Sequence, residues 1–148
     1  MALAANSTIE MALSSFMLND ARMSALIGTR FYPNIVPQNP TTPYGRYRRV
    51  DSPRESSHDG PSALAHPRFQ MDWVGGAEAL GFTGYGLAVE TARAARFALQ
   101  DFKGIMETIR IYRVELADER DFLDDDLKIV GRSQDFIIWH EEESPVWL

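Results

Sequence analysis

Apolar residues return every three or four positions from Ile9 through Leu13, Phe16 and Met17, which predicts an amphipathic helix with that stripe against a core. Ser7 and Glu10 stand at capping-box spacing, so the helix is expected to start at Thr8. Asn19 and Asp20 interrupt the pattern; Asp20 can cap a short second helix over 21–27, and Gly28 ends it. Positions 30–32 read as a brief strand stopped by Pro33. Residues 37–43 read as an extended connection, because proline excludes helical backbone from its predecessor. From there the period is two. Over 44–51, Tyr47 and Arg49 share one face and Arg46, Arg48 and Val50 the other; over 68–74, Phe69, Met71 and Trp73 point one way and Arg68, Gln70 and Asp72 the other, as a half-buried strand requires.

Between these two strands, residues 52–67 carry three prolines and several serines with no apolar period. They are expected to form a long flexible arm that holds no ladder. Gly75-Gly76 is expected to end the second strand, and the GFTGYG run to bend before a helix over 87–102, with Ala88, Ala92, Ala95, Leu99 and Phe102 on its buried stripe and Glu90, Arg93 and Arg96 facing solvent. Gly104 is its stop. Strands are expected over 107–116 and 128–140. Both have apolar residues on both parities near one end, which implies bulges or coverage on two sides, and the acidic segment between them reads as a hairpin loop. The order predicts one α+β domain over 1–148: a largely antiparallel or mixed sheet of about five strands with two main helices packed on it, and an extended tail at 141–148.

Composition narrows the function. The chain has 148 residues and no cysteine, which removes disulfides, thiolate metal sites and thiol nucleophiles together and suits a reducing interior. The N-terminus lacks a signal peptide's basic start, and no apolar run approaches the ~20 residues of a membrane span, so the expectation is a soluble protein without a membrane partner. A net charge of -6 argues against a general nucleic-acid binder. The charges are unevenly placed: Arg46, Arg48, Arg49 and Arg54 crowd together, whereas 115–126 holds seven carboxylates with Arg120 as its one cation.

Candidate chemistry is sparse. The carboxylates Glu115, Asp118, Glu119, Asp121, Asp124, Asp125 and Asp126 lack the central glycine and terminal glutamate of an EF-hand, and a solvated hairpin or protein-facing patch explains them better than a calcium or magnesium site. His58, His66 and His140 come without a serine elbow, a paired-histidine helix or a phosphate loop, so no catalytic, cofactor-binding or metal residue is assigned. A metal-dependent hydrolase built on the acidic hairpin and a small nucleic-acid-binding module are the readings from other classes. Arg46, Arg48 and Arg49 fit either the solvent face of an edge strand or a contact with phosphate or an acidic protein surface. Trp147 and Leu148 are large apolar residues of the kind that mark partner docking.

Several runs point further. STIEMAL, GTRFYP, PQNPTTPYGRYRRV, DGPSALAHPRFQMDW, FKG and DFIIW follow one another in an order that resembles the tail-terminator, or tail-completion, family of long-tailed phages and gene transfer agents. The resemblance implies a structural virion protein at the head–tail junction, assembled in the bacterial host cytoplasm. It implies a homo-oligomeric ring, a hexamer, that caps the tail tube, stops its polymerisation and offers the surface that connector proteins join, while DNA passes through the lumen without specific binding. A head-closure or connector component is the alternative within that class. On this reading Arg46, Arg48, Arg49, Arg54, Asp124, Asp125 and Asp126 are candidates for a subunit interface or the lumen, since a heterologous ring brings unlike patches together at each joint.

Overall fold

The structure, a computed structural model, describes residues 8–57, 60–77, 82–124, 126 and 128–143. Helix α1 (Ile9–Asn19) buries Ile9, Leu13 and Met17 of the expected stripe together with Ala12, while Phe16 is partly buried against the same core. Its cap is Thr8, whose hydroxyl accepts from the Met11 N–H at 3.2 Å, and not Ser7, which lies outside the described residues. The capping box expected between Ser7 and Glu10 lies outside the described residues; the Glu10 carboxylate pairs with Arg49, 2.9 Å away. Asp20 caps α2 (Ala21–Ile27) as anticipated, accepting from the N–H groups of Arg22 and Met23.

Eight strands among the described residues form one mixed sheet: β1 (Phe31–Pro33), β2 (Tyr44–Asp51), β3 (Arg54–Ser57), β4 (Gly60–Ala65), β5 (Arg68–Ala77), β6 (Gly104–Met106), β7 (Ile109–Asp124) and β8 (Ile129–Glu141). The spatial run β1-β2-β5-β8 continues through β7 to β6; the β1–β2 pairing is parallel and the others are antiparallel. Helix α3 (Phe82–Leu99) lies on β5 and β8, with α1 and α2 beside it. Phe69, Met71, Trp73, Phe136 and Ile138 of the sheet meet Leu13, Met17, Met23, Ile27, Ala92, Ala95 and Leu99 of the helices in one core.

The α+β class and the helix-on-sheet packing stand as read from the sequence, with more strands than expected. Three local expectations are corrected. Segment 52–67 does carry a ladder: β3 and β4 pair as a hairpin, and β4 adds to β8 through Leu64↔Glu141 and Ala65↔His140, extending the line of β5 beyond Pro67. Proline and serine are tolerated there because β3 is an edge strand and β4 meets β8 at only those two residues. The acidic segment is strand and not loop as far as Asp124, paired along β8. Beyond β6 its outer edge has no neighbouring strand among the described residues, and like charges there deter unwanted pairing. The anticipated bulges fall between Ile111 and Arg113 and between Leu116 and Asp118.

The third correction concerns Gly75 and Gly76, which do not end β5. The strand runs to Ala77 through a register shift between Val74 and Gly76. A Cβ at Gly75 would stand 1.9 Å from the Gly84 carbonyl oxygen and 2.4 Å from the Ala88 nitrogen, so this glycine lets α3 rest directly on the strand. Positions 82–86 of that run accordingly lie in the helix and not in a bend before it, while Gly81 lies outside the described residues; α3 ends at Leu99, and Phe102 packs beyond it against Phe16 with ring centroids 4.7 Å apart.

Candidate interaction surface

The face of the sheet away from the helices is built from alternating side chains of β2, β5, β8 and β7. The Cα register places Arg46, Asp72, Ser133 and Arg120 in one row across those four strands. Asp72 is almost fully buried and accepts from Arg46 Nε at 3.2 Å, from Gln70 at 2.9 Å and from Ser133 at 2.5 Å. Burial alone would raise its pKa, but the hydrogen bonds from Ser133, Gln70 and Arg46 outweigh that and hold the carboxyl below its ordinary 3.8. One row further, Arg48 donates to Gln70 at 3.0 Å, and Asp135 gathers Arg68 at 2.8 Å and Arg120 at 3.4 Å, with Arg120 also on Asp118 at 2.8 Å. The face is a charge-alternating lattice whose arginines are already paired.

The four arginines grouped by the sequence therefore do not converge. Arg46 and Arg48 lie on this outer face. Arg49, on the opposite parity, reaches over the Phe69 ring to Glu10 and to Ser52 at 2.8 Å, and Arg54 holds Glu142 at 2.7 Å. The acidic candidates Asp124 and Asp126 sit at the tip of the β7–β8 hairpin, where Asp124 accepts from the Asp126 N–H at 3.0 Å; Asp125, Trp147 and Leu148 lie outside the described residues. Burial raises the Tyr44 hydroxyl above its ordinary pKa, Arg46 pulls it back, and Asp124 and Asp72 push it further up. Arg46 and the acidic tip thus act on one residue at the same end of the sheet: charges far apart in sequence are close in space. Other acidic residues are anchored within the chain, Asp121 by Arg132 and Tyr85 at 2.7 Å each and Glu119 by Gln134 at 2.7 Å.

Sequence reasoning missed a second surface, on the helices. Phe97, 48% exposed, is ringed by the guanidinium groups of Arg22, Arg93 and Arg96 at 5.3, 5.1 and 4.8 Å from its ring centre. No carboxylate among the described residues is within ion-pair range of these three arginines, and Arg96 alone has a side-chain hydrogen bond, to Gln100 at 3.3 Å. Arg22, Arg93 and Phe97 border a groove of about 360 Å³ lined also by Ala25, Leu26 and Ala94, with Glu90 as its one carboxylate against the two arginines. The available signal was a large aromatic off the buried stripe of its helix, flanked by arginines.

His140 is buried at the β8–β4 joint; Nδ1 donates to the Glu141 carbonyl at 2.9 Å, and Nε2 has no partner among the described residues. Burial lowers its pKa below 6.5; the Glu141 carbonyl and Glu142 oppose this, and Arg49 and Arg54 add to it. The unfolded chain then binds the proton more readily, so the His140 contribution to stability is full above pH 6.5 and falls as pH drops toward the folded value. The urea midpoint should decrease from pH 7.5 to 5.5, and His140→Gln should flatten that slope; a midpoint rising on acidification would contradict the assignment. Asp72, depressed from 3.8, adds a separate loss of stability at lower pH still.

No group of three or more His, Cys, Asp or Glu among the described residues is arranged to hold a metal ion, and no helix is long and apolar enough to cross a membrane. A profile of the family "Tail completion protein gp17" matches residues 11–141. No curated protein matches the chain. Among solved structures, a chain of the "Virion of native gene transfer agent (GTA) particle" superposes with a TM-score of 0.70 at 19% identity, covering 92% of this chain and 99% of that one, a likeness of fold. With nearly its whole described length matched, the chain belongs to the gp17 tail-completion family and is a structural component of a phage-type tail.

Proposed function

We propose that this chain caps the tail tube as a closed ring, ending tube polymerisation and presenting the surface to which the DNA-filled head is joined through its connector proteins. The observation that carries the reading is the tail-completion match across 11–141. The architecture is compatible with it: a rigid sheet whose outer face is neutralised by its own ion pairs offers DNA no continuous run of free cations, as suits a conduit that must not hold what passes. Arg46, Arg48, Arg49 and Arg54 would have to leave in-chain partners to serve as a subunit interface.

Deleting the gene from its producing genome should yield filled heads without attached tails, together with tails of abnormal length. Electron microscopy of the lysate reads both outcomes at once. Normal particles from the deletion would refute the capping role.

A further inference from the structure

We propose that the arginine-ringed Phe97 groove of one subunit receives the acidic β7–β8 hairpin tip of the next, so that the basic half of the ring joint is Arg22, Arg93 and Arg96 and not Arg46, Arg48 and Arg49. The inference rests on the ring reading above and names its contact. Two observations motivate it. Among the described residues the three guanidiniums around Phe97 have no carboxylate in ion-pair range, while Arg46, Arg49 and Arg54 each hold one and Arg48 holds Gln70. The hairpin tip carries the complementary chemistry, with Leu123 49% exposed beside Asp124 and Asp126: one apolar side chain for the groove and carboxylates for its rim.

The two patches cannot meet within one subunit. Tyr85, in the first turns of α3, donates to Asp121 at 2.7 Å, so β7 passes the start of that helix three residues before Asp124 at the tip. Phe97 lies twelve residues further along α3, roughly 18 Å away at 1.5 Å per residue. Complementary patches one helix length apart on a rigid body form a head-to-tail contact, the kind that closes into a ring when the rotation per subunit is right.

The absence of cysteine makes this directly testable. The double variant Phe97→Cys, Leu123→Cys, expressed in place of the native chain and oxidised in assembled particles, should give a ladder of covalent oligomers on a non-reducing gel. The ~18 Å separation forbids the bond within one chain. Monomer only, or a ladder from Arg46→Cys with Asp124→Cys instead, would overturn the inference while tail attachment in the same particles still supports the capping role. As a second readout, Arg93→Glu with Arg96→Glu should weaken subunit association about tenfold or more, and Asp124→Lys with Asp126→Lys on the same chain should restore it. Intact rings that have lost only nucleic-acid binding would assign these arginines to DNA and sink the proposal.

Discussion

Trp73→Ala should lower the unfolding free energy by about 3–5 kcal/mol and the thermal midpoint by roughly 10–15 °C. The indole has no exposed surface; it stacks on Phe31 with ring centroids 5.4 Å apart and donates to Gln134 at 2.8 Å. Gln134 in turn donates to the Ala92 carbonyl of α3 at 3.0 Å and to Glu119 of β7 at 2.7 Å. Truncation therefore leaves a large cavity and also deprives a buried carboxamide oxygen of its donor, two costs that add. Gly45 shows how closely the ring is held: a Cβ there would fall 2.3 Å from the indole. Thermal melts by circular dichroism decide the matter, and a midpoint within about 2 °C of the native chain would mean the site collapses around the loss.

Gly75→Ala should destabilise by about 3 kcal/mol, the upper part of the range for overpacking, because the obstacle is main chain and not a side chain that can rotate away. The added methyl would displace the Gly84 carbonyl and the Ala88 amide, lifting the first turns of α3 from β5 and loosening the Tyr85–Asp121–Arg132 contacts that tie the hairpin to the helix. Urea unfolding should show a lower midpoint, and hydrogen exchange should quicken first in the amides of the opening turns of α3. Unchanged protection there would contradict the direct seating of helix on strand.

Much of this fold was legible in the sequence. β2 occupies 44–51 as expected although neither of its faces is cleanly apolar, and the alternation Phe69, Met71, Trp73 named the buried face of β5, where period-two patterning and secondary structure agree. The misreadings share a cause. The carboxylates of 115–124 and the prolines of 52–67 have poor strand propensity, and edge positions tolerate both, the first paired along β8 and the second in a hairpin beside it. Gly75 carried a turn signal, but its role is close packing, which only the position of α3 reveals.

The interaction surface was less legible for a different reason. Clustering along the chain placed Arg46, Arg48, Arg49 and Arg54 together, yet strand alternation sends neighbouring residues to opposite faces, and each found a partner brought near by folding. The arginines around Phe97 come from two helices, Arg22 lying more than seventy residues before Arg93 and Arg96, so no local pattern announces them.

The capping role is a matter of position in the particle, and a reconstruction of the head–tail junction in intact particles reads that position. A closed ring of this fold is expected at the head-proximal end of the tail tube, between the last tube ring and the connector. Density for this fold at the distal tip of the tail, or repeated along the tube, would contradict it.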